Sequence, residues 1–146
     1  MMVSTKGRYG LRLMIELASR FGQGPVLVGT IAENQGISAS YIHILLAGLK
    51  AAGLVRAFRG PTGGYELTRE PSKIAVLDIV HALEGNSWPV ACVAKQEWCA
   101  RSGMCAAQDV WRELAAAMQK VLSDNTLEQL VMRQNMKTED AATFEI

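Results

Sequence analysis

Ile31 to Leu67 reads I-A-E-N-Q-G-I-S-A-S-Y-I-H-I-L-L-A-G-L-K-A-A-G-L-V-R-A-F-R-G-P-T-G-G-Y-E-L. A short helical run ends at Gly36, whose missing Cβ suits a tight turn. Ser38 and Ser40 are both good helix N-caps, because a side-chain oxygen can accept from an orphan N–H of the first turn. Beyond them Ile42, Leu45, Leu46 and Leu49 recur at three- and four-residue spacing, the mark of a buried stripe. Tyr41, His43, Ile44, Gly48 and Lys50 fall partly or wholly off that stripe. Gly53 is placed to end the helix in the left-handed conformation. Leu54 and Val55 then begin a strand, Arg59 to Gly64 is dense in turn residues, and Tyr65 and Leu67 alternate with Glu66. The order helix, turn, helix, hairpin predicts a mainly α winged helix-turn-helix, a unit that lays its second helix in a DNA major groove.

Working outward, the 146-residue chain is long enough for one domain and an appendage, and 49% apolar content suffices for a core. It contains no run of ~18 apolar residues, and Met1 to Arg12 lacks the apolar centre of a signal peptide, so a cytoplasmic protein is expected. The net charge of +1 hides an asymmetry. Residues 1–73 hold nine basic and four acidic side chains, and the rest hold six and ten. A basic half carrying a helix-turn-helix points to a polyanion. The first-turn residues Ser40, Tyr41, His43 and Ile44 are candidates to face base edges, with Ser38, Lys50, Arg59, Pro61 and Gly63 completing the candidate surface.

Before this unit, Thr5 to Phe21 reads as a helix with Tyr9, Leu13, Leu17 and Phe21 on one face. Arg8 and Arg12, one turn apart, look outward toward phosphates. Gly22 to Pro25 breaks it, Val26 to Val28 reads as a short strand or a lead-in, and a helix over Gly29 to Gln35 follows. After the hairpin, Pro71 marks a boundary, and Val76 to Leu83 is helical, stopped by Gly85. His81 within it reads as structural, since no partner stands at ligand spacing. Four segments result: 1–85 as the DNA-binding domain, 86–105 as a cysteine-bearing loop, 106–132 as a dimerisation helix with a short terminal helix over Thr126 to Met132, and 133–146 as a flexible tail. The helix from Ala106 repeats Val110, Trp111, Leu114, Met118, Val121 and Leu122 at helical spacing. A second copy of the chain is the economical cover for that stripe; folding back on its own domain is the other.

Trp88 to Cys105 has little periodicity and all three cysteines, spaced C-x6-C-x5-C. An odd count argues against a disulfide framework, and the C-x2–4-C pairs usual for zinc are absent. Three thiolates on one loop are compatible with an iron–sulfur cluster completed by a fourth ligand; buried apolar cysteines are the bland alternative. No nucleophile–base pairing or phosphate-cradling loop is present, so an enzyme is not expected.

Over nearly its whole length the chain resembles the Rrf-two family of bacterial winged-helix regulators, and within it the iron–sulfur biogenesis branch. The residues that carry the likeness are Thr5-Lys6-Gly7-Arg8-Tyr9, Gln35-Gly36-Ile37-Ser38 with Ser40-Tyr41, and Gly53-Leu54-Val55. Arg59-Gly60-Pro61 with Gly63-Gly64-Tyr65, the three cysteines, and Trp111-Arg112-Glu113-Leu114 carry the rest. The resemblance implies a homodimer with crossing long helices that reads a double-stranded operator. It implies a 2Fe-2S or 4Fe-4S cluster on Cys92, Cys99 and Cys105, and an arginine, Arg59, reaching into the minor groove. The first cysteine gap is one residue longer than the usual five. Gln108 stands where the biogenesis branch has a histidine, and Arg8 where nitric-oxide-sensing relatives have an aspartate. The fourth ligand is therefore open among Asp109, Gln108, Glu97 and an exogenous group, with Asp109 the candidate taken forward. His43 and Ile44 replace a glutamate and a glutamine, which predicts a different operator preference. The expectation is a homodimeric transcriptional regulator, a repressor, sensing redox, iron–sulfur or nitric oxide status through a cluster. A cluster-free regulator controlled by thiol oxidation or a partner protein, or a protein-interaction adaptor, are the alternatives.

Overall fold

The computed structural model describes residues 3–86 and 89–145. Trp88, at the start of the cysteine segment, lies outside the described residues. Helix α1 (Thr5–Ser19) opens on Ser4, whose side chain accepts from the Gly7 N–H. Helix α2 (Val28–Gln35) ends on Gly36 at φ 64°, where an L side chain would be strained. Helix α3 (Ala39–Ala51) starts on Ser38, which accepts from the Tyr41 N–H at 3.2 Å. Its Ile42, Leu45, Leu46 and Leu49 are fully buried, as their spacing predicts. Gly53, at φ 75°, turns the chain out of α3 into the wing.

The wing is an antiparallel pair, β1 (Val55–Phe58) and β2 (Gly64–Leu67), in the register Val55 to Leu67 and Phe58 to Gly64. Val55 and Leu67 are the pair that reaches the core. Val26 forms a bridge with Tyr65, the Val26 N–H donating to the Tyr65 carbonyl at 2.8 Å and the reverse bond measuring 2.9 Å. The expected short strand at Val26 is thus one bridge that ties the chain before α2 to the wing. α1 ends two residues before Phe21, and α2 begins at Val28, one residue earlier than the sequence suggested.

Helix α4 (Val76–Glu84) follows a single 3-10 turn at Pro71–Lys73, and the Asp78 carboxylate caps it by accepting from the Ala75 N–H at 2.9 Å. It packs on α1 and α3, with Leu83 set against two glycines: a Cβ on Gly10 or Gly48 would press on the Leu83 side chain. A glycine in a helix interior costs roughly 0.5–1 kcal/mol against alanine; here it lets three helices approach closely. The core joins Leu13, Met14, Leu17, Ile31, Ile42, Leu45, Leu46, Leu49, Leu54, Leu67, Ile74 and Ile79, together with Leu127 from the last helix.

The second half departs from expectation. The cysteine segment contains a single helical turn, α5 (Ala91–Ala94), and a 3-10 turn at Gln96–Trp98. Helix α6 (Ala106–Asp124) lies against α4, with Ala115 buried and Leu114, Met118 and Leu122 half-buried, whereas Val110, Trp111 and Val121 remain exposed. Part of the stripe is therefore covered by the chain's own domain. The short terminal helix and frayed tail are instead one helix, α7 (Leu127–Phe144). It opens on a capping box: the Gln129 N–H donates to the Thr126 Oγ1 at 3.3 Å, and the Thr126 N–H donates to the Gln129 Oε1 at 3.0 Å. α7 returns along α1, placing Leu127 in the core. No described helix is long and apolar enough to cross a membrane.

Candidate nucleic-acid interface and cysteine segment

The outer face of α3 carries Ser40, His43, Ile44 and Lys50, all exposed. Burial of the opposite face fixes their direction, because a helix with one stripe in the core cannot rotate without exposing it. Ile44 is 54% exposed beside polar neighbours, an unpaid apolar surface on an otherwise well-filled helix. Lys50 lies in the last turn of α3, where a cation suits the helix dipole. Ser38 spends its hydroxyl on the helix start. Tyr41 is half-buried, its ring meeting Tyr9 of α1 edge-on at 6.2 Å and 87°. Tyr41 therefore joins α3 to α1, and only its rim is left for a partner.

Arg8 is exposed on α1, its guanidinium 5.9 Å from the Tyr9 ring. Arg12, expected to face phosphates, stays exposed but is bonded to α2: Nε donates to Gln35 Oε1 at 3.1 Å and Nη2 to the Gln35 carbonyl at 3.1 Å. Gln35 and Asn34 in turn donate to Glu16, at 2.6 Å and 2.7 Å. Glu16 is a 9%-exposed carboxylate that sequence reasoning passed over. Its signal was a lone acid among Leu13, Met14, Leu17 and Ala18 on the apolar face. This network clamps α2 to α1.

In the wing, Arg59 and Pro61 are exposed at the turn. Gly63 is buried, and a Cβ there would run into the Phe58 and Gly60 carbonyls, so this residue shapes the turn rather than offering a side chain. Arg56 pairs with Glu66 across the strands at 2.6 Å. Arg8, Lys50 and Arg59 make no ion pair among the described residues, which leaves three cations from the first half of the chain available to an outside anion.

The cysteines are arranged differently from what a cluster requires. Cys92 lies in α5, Cys99 follows the 3-10 turn, and Cys105 is the N-cap residue of α6; all three are half-buried free thiols. No group of three or more His, Cys, Asp or Glu side chains comes together for a metal among the described residues. Asp109 points outward with its side chain 69% exposed, 3.9 Å from Arg112, and Glu97 is exposed. Gln108 is the residue that turns inward. It is 2% exposed; Nε2 donates to the Cys92 carbonyl at 2.9 Å, and Oε1 accepts from the Gly103 N–H at 3.3 Å. The thiolate donor set suits a soft metal in kind, but the described residues do not gather it into a group of three, and Gln108 bonds to the Cys92 carbonyl and to the Ser102–Gly103 turn.

A DNA-binding winged helix is the class this fold and surface define. The profile of the Rrf2 family, described as an iron-dependent transcriptional regulator, matches residues 3–133. The chain belongs to that family of transcriptional regulators. It is 41% identical over 130 residues to the transcriptional regulator CymR of Bacillus subtilis, covering 89% of each protein. It is 35% identical over 136 residues to the regulator IscR of Xenorhabdus nematophila, covering 93% of this chain and 82% of that one. The solved structure of B. subtilis CymR, titled the global cysteine regulator, superposes with a TM-score of 0.79 at 38% identity, over 91% of this chain and 98% of that one. The likeness read from the sequence leaned toward the iron–sulfur biogenesis branch; the identity to CymR is the higher of the two.

Proposed function

We propose that two copies of this chain bind an operator in duplex DNA and act as a repressor, with the cysteine segment setting their affinity. In this reading α3 enters the major groove with Ser40, His43 and Ile44 toward the base edges, and Arg59 reaches the neighbouring minor groove. The observation that carries it is the exposed face of α3, together with Arg8, Lys50 and Arg59, which make no ion pair among the described residues. Exposed Val110 and Val121, three turns apart on one side of α6, support a second copy as the cover. Two half-sites would then lie roughly one helical turn, ~34 Å, apart. The test is a titration of the full chain with operator-bearing and unrelated duplexes at several salt concentrations, beside sedimentation. A dimer whose affinity falls with salt, by a slope of about −0.9 per phosphate neutralised, is expected. A salt-independent monomer with no duplex affinity would leave only the adaptor reading.

For the input, we favour the oxidation state of Cys92, Cys99 and Cys105, or a partner that reads it, because the three thiols are free and the described residues gather no group of three metal-binding side chains. The relative titled a global cysteine regulator supports a sulfur-linked signal. The second reading is an iron–sulfur cluster on the same cysteines. It is favoured by their clustering in sequence and by the relatives named IscR, and it requires the segment to rearrange. Iron and sulfide content after anaerobic reconstitution separates the two.

A further inference from the structure

We infer that Gln108 is a latch that holds the cysteine segment against α6, and that its amide opposes the gathering of the three thiols rather than ligating what they gather around. One buried side chain ties together backbone sites far apart in the chain. Its Nε2 donates to the Cys92 carbonyl at 2.9 Å and meets the Ser102 hydroxyl at 3.3 Å. Its Oε1 accepts from the Gly103 N–H at 3.3 Å and from the Ser102 hydroxyl at 3.4 Å. A glutamine amide has two N–H donors and one carbonyl acceptor; both ends are engaged, and the residue is 2% exposed. The partners flank the cysteines: Cys92 itself, and the turn of Ser102 and Gly103 that lies between Cys99 and Cys105. Bringing three sulfurs around one ion would move these backbone sites, and the Gln108 bonds would have to break first. Asp109, the next residue along, faces solvent and pairs with Arg112, so it does not share this task.

The latch opposes the gathering of the thiols around one ion until a signal strong enough to displace it arrives. What the latch serves rests on the regulator reading; its existence does not. The test uses the full chain and two substitutions. In the wild type the Gly103 amide exchanges its hydrogen slowly, and in Gln108→Ala it exchanges at least about tenfold faster, since removing the amide leaves a carbonyl and an N–H without partners. Gln108→Glu keeps the side-chain length and an acceptor for the Gly103 N–H but cannot donate to the Cys92 carbonyl at neutral pH, and gives a rate between those of the wild type and Gln108→Ala. An unprotected Gly103 amide in the wild type, or equal rates in all three proteins, overturns the proposal. Titration with Cd2+ alone, followed by thiolate-to-metal absorbance, tells latch from ligand. Gln108→Ala is expected to bind tighter by a similar factor. Weaker binding would make the amide a ligand, and equal binding or none by either would make it a bystander; each overturns the proposal. Duplex binding by the same wild-type sample reports separately on the regulator reading, whose failure would leave the exchange result standing.

Discussion

Helix α3 buries four side chains completely, and the wing behind it is tied by a strand pair and a bridge to Val26. Between Pro89 and Cys105, by contrast, no side chain is buried among the described residues, and the segment is held by short turns and by Gln108 reaching back from α6. The α3 face and the wing are thus fixed by packing that involves most of the domain, whereas the cysteine segment is fixed by a handful of polar contacts. Regions with few buried apolar contacts open at lower free energy than the core. Under the proposed function, a surface that meets a duplex in one geometry and a segment that changes state are built by opposite means in one chain.

The largest test of this contrast is Gly64→Ala. Gly64 lies at φ 138°, and a Cβ would meet the Val26 carbonyl. The substitution strains the wing against the domain and is expected to cost about 3 kcal/mol in urea unfolding; a change below ~0.5 kcal/mol would mean the wing is as loosely held as the cysteine segment. Second, the Leu45 and Leu46 amides should exchange at least ~100-fold more slowly than those of Val93 and Ser102. Equal rates would abolish the contrast. Third, Arg59→Ala should weaken operator binding about tenfold and reduce the salt slope by ~0.9 while leaving the unfolding midpoint in place. A lower midpoint would show that Arg59 serves the fold. The smallest effect is expected from Glu66→Gln, which removes the pair with Arg56 on a solvent-facing strand; such pairs are worth about 0–1 kcal/mol.

The helix-turn-helix and wing were legible because their signals are local. Gly36, Ser38, the leucine stripe and the glycine turn each act within a few residues, and each sits where its chemistry predicted. α7 was not legible beyond Met132, because Arg133 to Asp140 offers no apolar period to read. Its helix rests instead on propensity, with Gln, Met, Lys, Glu and Ala favouring the state, and on a capping box at Thr126 and Gln129 that spacing could have revealed. At the candidate site, exposed positions such as His43 and Ile44 followed from the stripe they avoid. Tyr41 and Arg12 did not, since their partners, Tyr9 and Gln35, come from other helices. Gln108 was visible as a residue but not as a buried one, because a single amide gives no periodic sign of which way it turns.

The junction between α6 and α7 fixes how far a disturbance can travel. Leu127 donates to the Ile74 carbonyl at 3.0 Å, and Val76 donates to the Asn125 carbonyl at 2.9 Å, so the end of α6 remote from the cysteines is stitched to the base of α4. A 19-residue helix measures about 28 Å. With one end pinned, a tilt of ~5° about Asn125 sweeps the Cys105 end through ~2.5 Å. Under the proposed function, α6 would act as a lever whose fulcrum lies at Asn125, beside α4, and whose other end carries Cys105.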